Sequence, residues 1–432
     1  MVETDKLFFY EAVVQQLLDD GLEDAAEIVK SKMKVEPNTM LRKDHLYDIF
    51  NKSAYLSSRT ILEADLEEEE RDKTRGLTRL KEVLDEYESL PIEKQHKYKV
   101  MAYNNFAEFQ NFKPCRCIAQ SNDSSVVAIG GVSGYLHVTP FVDANDQISK
   151  RKPNGMCTTR LNGHIEQVDA LDFHPRRTIL ASGGIDCNII FHEINASNGF
   201  IYSTSELQKI NDYFNIRCLK FHPCGDFLFA GTSNSILRLY DVVTAKCYTS
   251  RQTLHQHQGG GINSCDVNSA GSLFFTAGSD GSVALWDGKT LEAIHIMESI
   301  HGGVPVISVK CDPYSRYILS SGLNGTTKLV DLRMRKELHS FGFERKNSIR
   351  TYSTFLHNFQ YFITFSVLSD NKSNRSEAIV YSIENAAVEM DITKALGTAP
   401  IWDAIASHDE MSIITVAEDC KCQIINFYDP TQ

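Results

Sequence analysis

Residues 253–288 read TLHQHQGGGINSCDVNSAGSLFFTAGSDGSVALWDG. Three short apolar runs stand out: Ile262–Val267, Leu273–Ala277 and Val283–Trp286. Each is bounded by Gly, Asn, Ser or Asp, the pattern of short strands joined by tight turns. His257 precedes the first run, Asp280-Gly281 separates the second from the third, and Trp286-Asp287 closes the third.

A His ahead of the strands and a Trp-Asp behind them, at this separation, resemble one blade of a WD-type β-propeller. In that geometry the turn carboxylate, here Asp280, accepts a hydrogen bond from His257. The imidazole contacts the hydroxyl of Thr276 on the middle strand, and that hydroxyl bonds the indole N–H of Trp286. Such a chain satisfies buried polar groups and fixes strand register, so these residues read as scaffold rather than catalyst.

The unit recurs. Arg160–Ile194, Glu206–Val242 and Met297–Leu332 align with it. Phe173-His174-Pro175 and Phe221-His222-Pro223 make the same turn, with Pro fixing φ. The turn residues Asp186, Asn234, Asp280 and Asn324 are 48, 46 and 44 apart by subtraction, and His164 pairs with Asp186 as His257 does with Asp280. These periods suit a propeller and are too long for tetratricopeptide or leucine-rich repeats. Degenerate units fill Phe112–Asp143, Phe341–Glu384, with a polar insertion at Ser369–Ser376, and Ala395–Asp429. The count is seven. Trp402-Asp403 mimics a repeat terminus but phases better inside the first strand of the last unit. Each blade borrows its outer strand from the following repeat, so the last must borrow from the N-terminal side, and YKVMAY (98–103) is the expected closing strand.

The expected fold is therefore an all-β seven-bladed WD40 propeller over 97–432 behind a small all-α domain. Residues 4–20 carry apolar residues at helical spacing with Gly21 as a stop. Further helices are expected from about Glu23 to Lys32 and from about Arg42 to Tyr55. So small a unit, 1–56, cannot bury a broad apolar stripe alone. Self-association is expected, through Phe8, Phe9, Val13 or Leu17. Residues 57–96 form a charged, partly helical linker, with Glu67–Glu70 facing basic residues three and four apart.

Composition narrows the function. Hydrophobic residues make up 42% of the 432, enough for a core, and the net charge of −12 argues against bulk electrostatic capture of nucleic acid. Lys150-Arg151-Lys152 and Arg176-Arg177 are the basic clusters that could touch RNA, and both lack interleaved aromatics. The 11 cysteines and a start of Met1-Val2-Glu3-Thr4 read as a reducing, intracellular setting, and no apolar run approaches the roughly 18–20 residues of a membrane span. No P-loop, G-x-S-x-G, H-E-x-x-H or EF-hand pattern occurs, so no catalytic residue, cofactor or metal is expected. Cys115/Cys117 and Cys420/Cys422 are C-x-C pairs whose members would share one strand face, a weak metal signal best read as packed thiols.

The segments FHPCGDFLFAGTSNSILRLYDVVTAKC (221–247), GSDGSVALWDG (278–288) and YILSSGLNGTTKL (317–329) resemble, in the same order, the central repeats of the WD-repeat subunits of cleavage stimulation factor. KLFFYEAVVQQLLDDG (6–21) is similar to that family's N-terminal, homodimerising helix. The resemblance implies a non-catalytic, nuclear scaffold subunit in pre-mRNA 3′-end cleavage and polyadenylation. Its partners would be a helical-repeat scaffold subunit and an RNA-recognition-motif subunit, with RNA contacted mainly indirectly. His192, Tyr240 and Val330 replace the repeat Trp, and 57–95 does not match the family. The competing reading is a substrate-recognition or adaptor subunit of another assembly, such as a ubiquitin ligase.

Overall fold

The computed structural model describes residues 10–35 with gaps and, apart from several loops such as 142–158, residues 102–428. The chain divides into two compact units, Met1–Arg75 and Gly76–Gln432, a division that falls inside the charged run rather than at either of its ends.

In the first unit the described residues between Tyr10 and Leu18 are helical, and a second helix spans Glu23–Met33. The turn between them is set by Gly21 at φ +75. The Leu22 N–H bonds the Leu17 carbonyl and the Gly21 N–H bonds that of Leu18, a Schellman stop for which glycine is suited. The second helix has Glu23 and Asp24 in its first turn and Lys30 and Lys32 in its last, each complementing the helix dipole. Val14, Ala26 and Val35 form a small core, with Tyr10, Leu17 and Val29 against it. The helix expected at 42–55 lies outside the described residues.

The second unit is seven antiparallel four-stranded sheets. The innermost strands of blades one to seven are Cys115–Gln120, Val168–Phe173, Ile216–Phe221, Ile262–Val267, Val306–Cys311, Ser348–Phe355 and Ile401–Ala406. The fourth strand of the last blade is Ala102–Gln110, antiparallel to Lys421–Tyr428, so the N-terminal side completes the final sheet. It shares only residues 102 and 103 with the expected 98–103, whose earlier part lies outside the described residues. The register, Ala102 against Tyr428 through Gln110 against Lys421, engages the length of the partner strand.

Apolar clusters lie mostly between neighbouring blades. Phe229 of blade three packs 4.5 Å from Phe274 of blade four, which stacks on Trp286 at 5.8 Å. Polar ties run beside them near the channel. Asp172 accepts the Phe221 N–H of the next blade at 2.7 Å, Asp266 accepts that of Cys311 at 2.8 Å, and Asp403 accepts that of Ile118 at 3.1 Å. The last tie joins blade seven to blade one.

Two departures from the sequence reading have physical causes. Cys115 and Cys117 do not share a face, because the register slips between them. Cys115 packs toward blade seven beside Cys422 and Cys117 packs toward blade two, so the C-x-C pair cannot chelate. The two ends of the stretch read as a polar insertion in blade six, Ser369 and Asn374–Ser376, belong to the sheet: Tyr361–Ser369 pairs with Asn374–Ser382 in nine register pairs, from Tyr361↔Ser382 to Ser369↔Asn374.

Candidate functional site

Two sets of polar residues sit on the face of the ring where the innermost strands begin, here the upper face. The first holds each blade together. In blade four His257 Nδ1 lies 3.1 Å from Asp280 Oδ1 and 2.8 Å from Ser282 Oγ, and Nε2 lies 2.8 Å from Thr276 Oγ1. The Trp286 indole donates to Thr276 Oγ1 at 2.8 Å. With the proton on Nδ1, the chain runs in one direction: indole to threonine, threonine to imidazole, imidazole to carboxylate. Burial works against the charged form of Asp280, but the bonds from His257 and Ser282 outweigh it and hold its carboxyl at about 2. Gly278 is required by close approach, since a Cβ there would stand 2.0 Å from His257 Nδ1.

The other blades solve the same problem differently. In blade two His164 Nδ1 sits 3.0 Å from Asp186 and Nε2 sits 2.9 Å from Ser182 Oγ. His192, in the tryptophan position opposite Leu180, turns to the Asn162 carbonyl instead. In blade five His301 bridges Thr326 and Ser320, and Asn324 accepts the Thr326 hydroxyl. Burial, with Lys328 nearby, pushes His301 down to about 4. Blade three has no histidine ahead of its innermost strand. Asp212 takes that place and accepts the Tyr240 hydroxyl, with Arg238 Nε 3.1 Å away. The sequence signal for this exchange was Asp212 ahead of the strand and Tyr240 opposite Leu228, a compensating pair that the histidine search passed over.

The second set comes from the starts of the innermost strands, where Asp169, Arg217, Asn263 and Ile307 line the channel. Every innermost strand opens with a register slip against its neighbour, which leaves one extra residue: Arg116, Asp169, Arg217, Asn263, Ile307, Ile349 and Trp402 in blades one to seven. A bulge of this kind re-aims a side chain that would otherwise alternate into the sheet. Cys117, Asp169, Arg217, Asn263, Arg350 and Asp403 are among the residues lining a channel cavity of about 280 Å³. No run of hydrophobicity marks such a ring in sequence; it depends on counting two residues against one across the first hairpin.

The Arg116 guanidinium lies 3.6 Å above the Trp402 ring, and that of Arg350 stands 5.7 Å from the same ring. Burial, with Arg350 acting in the same direction, lowers Arg116, although Glu418 opposes it. Burial also pushes Asp403 and Asp169 up, against the nearby arginines. Among the described residues no cluster of three His, Cys, Asp or Glu could hold a metal ion, and no helix there is long and apolar enough to cross a membrane.

Of the other residues singled out in sequence, Arg176 and Arg177 are exposed on the opposite, lower face, where their N–H groups donate to His174 Nδ1. Lys150, Arg151, Lys152, Phe8 and Phe9 lie outside the described residues. Val13 is half-buried, and Leu17 packs on the small helical core. Leu22, Ile28 and Met33 are the exposed apolar residues of that unit's second helix and the turn before it.

The model of the WD domain, G-beta repeat, matches residues 155–193, 205–241 and 248–287. Each match begins near the outer strand of one blade and ends with the third strand of the next, the stagger that obliges the N-terminal side to complete the ring. The chain is a WD-repeat protein. Over 207 residues this WD-repeat protein is 31% identical to cleavage stimulation factor subunit 50 of Arabidopsis thaliana, covering 48% of the chain and 47% of that relative. It is 28% identical over 185 residues to pre-mRNA-processing factor 19 homolog 2 of the same plant, covering 42% of the chain and 33% of the relative. The WD-repeat protein thus spans about half or less of these relatives. Among solved structures, the WD40 β-propeller domain of Doa1 superposes with a TM-score of 0.58 at 18% identity, over 77% of this chain and 99% of that one, a likeness of fold.

Proposed function

We propose that this WD-repeat protein is a non-catalytic scaffold subunit of a cleavage-stimulation-factor complex, acting in the nucleus on pre-mRNA 3′-end cleavage and polyadenylation. The observation that carries the reading is the 31% identity to cleavage stimulation factor subunit 50. It is supported by the ring itself, whose upper-face histidines and aspartates are spent on one another in blades two and four. Groups so engaged hold turns and are not poised for acid–base work. The partners proposed are a helical-repeat scaffold subunit and an RNA-recognition-motif subunit, with RNA contacted mainly through the latter. Exposed Leu22, Ile28 and Met33 beside so small a core support self-association of the helical unit into a homodimer.

Affinity purification of the full chain from nuclear extract, with mass spectrometry of the proteins that co-purify, tests this. Polyadenylation subunits are expected. A ubiquitin-ligase or motor complex recovered without them rejects the reading. Sedimentation of the full chain carrying Phe8→Asp and Val13→Asp tests the dimer: the mass should halve, and an unchanged mass removes those side chains from the contact.

A further inference from the structure

The polar side chains at and beside the bulged positions are not equally satisfied. In blade two Asp169 accepts the Gln167 amide at 2.6 Å. In blade three Arg217 donates to Asn263 at 3.0 Å and to Ser279 at 3.2 Å, and in blade four Asn263 donates to the Val306 carbonyl at 2.8 Å. Across the last blades and the first the pattern stops. Arg116 Nε, Arg350 Nε, Trp402 Nε1 and the Tyr352 hydroxyl are all buried with no hydrogen-bond partner. Tyr352 is 5% exposed and lines the channel. Among the described residues no ion pair engages either guanidinium.

An unsatisfied buried donor costs about 1–3 kcal/mol, more when charged, and native proteins rarely gather several in one place without a ligand to explain them. Two like charges held against one indole add repulsion to that cost. An anion between them removes both penalties, because a guanidinium fork takes a carboxylate or phosphate in two parallel bonds. From this we infer that the channel mouth between blades six, seven and one is a docking site for an acidic side chain of a protein segment, held by Arg116 and Arg350 over Trp402.

A protein segment fits better than a nucleic-acid strand. A phosphate backbone would have to pass Asp169, Asp403 and Glu418, which lie within electrostatic reach of the same arginines. A single side chain entering from above need not. The anion can be a carboxylate of Glu or Asp or the phosphate of phosphoserine. The inference leans on the scaffold reading only in taking a protein as occupant. A purification lacking polyadenylation subunits would sink that reading and leave this one standing.

The chain has two tryptophans, and Trp286 is 1% exposed in the core, so ligand-sensitive emission reports on Trp402. The test is an array of short peptides with randomised flanks and a central Glu, phosphoserine, Ala or Lys, probed with the labelled full chain beside an oligouridylate. The best peptides are then titrated by tryptophan emission. Binding is expected for central Glu or phosphoserine over Ala and Lys, and whichever of the two is tighter identifies the source of the anion. Arg116→Gln and Arg350→Gln should each weaken it at least about tenfold, while Arg176→Gln leaves it unchanged. If a variant fails to fold, added salt must weaken the parent's binding in the same sense. Equal binding of Lys and Glu peptides, preference for oligouridylate, or folded arginine variants that bind like the parent would each overturn the assignment.

Discussion

The buried Asp212 carboxylate accepts the Tyr240 hydroxyl in blade three, at the two positions that His257 and Trp286 hold in blade four. The ring residue donates in both blades, but in blade three the chain ends at Asp212, because a carboxylate can only accept where an imidazole can do both. Tyr240→Phe keeps the ring and removes the donor. It leaves the fully buried Asp212 with the Tyr213 and Phe214 N–H groups on Oδ1 and only Arg238 facing Oδ2. A loss of about 1–3 kcal/mol is expected in urea denaturation. Parent-like stability would mean the hydroxyl carries nothing.

In blade four the vulnerable point is the shared hydroxyl. Thr276→Val preserves shape and strips the acceptor from Trp286 and the donor from His257. Two buried polar atoms are then orphaned, so the loss should be about 2–4 kcal/mol. Thr276→Ser should recover most of it, and denaturant midpoints for the pair decide the matter.

Gly278→Ala is expected to damage the same blade from the other side. Its Cβ would meet His257 Nδ1 at 2.0 Å and Asp280 Oδ1 at 2.3 Å, distances that force the imidazole out of its place. The variant should melt well below the parent, and double substitution with Thr276→Val should be clearly less than additive, since both break one network. Additive effects would place the two residues in separate networks.

Acid should loosen blade five before it loosens blade four. His301 sits at about 4 in the folded protein against an ordinary 6.5. Below 6.5 the unfolded chain binds a proton that the folded one refuses. Its contribution is therefore complete above pH 6.5 and is lost as pH falls toward 4, up to about 3 kcal/mol. The Asp280 carboxyl, at about 2, gives up its share only below about 3.8. Melting curves between pH 7 and 4.5 should fall less steeply for His301→Gln than for the parent. Parallel curves would show that the imidazole does not carry the linkage.

The sequence carried the fold at long range and lost it at short range. Blade four was legible because Asp280-Gly281 and Trp286 punctuate strands of ordinary length, and the repeat of those marks gave the count of seven. Blade six was less so, since Asn374–Ser376, the polar start of the strand Asn374–Ser382, reads as an insertion until paired with Tyr361–Ser369. The channel ring was not legible at all. Cys115 and Cys117 seemed to share a face under simple alternation, and one extra residue, Arg116, overturns that. The same extra residue brings Arg116 to Trp402, a contact between positions 286 apart that no local pattern announces.

The pairing of Ala102–Gln110 with Lys421–Tyr428 sets an order of events in the making of the molecule. The strand that emerges early from the ribosome must wait for its far partner, and until then the nascent propeller is an open arc with two bare rims. Such a chain gathers its cooperativity only once Lys421–Tyr428 is in place, so a stop codon ahead of that strand would leave both rims bare and the early strand without a mate, a ready substrate for chaperones and proteases.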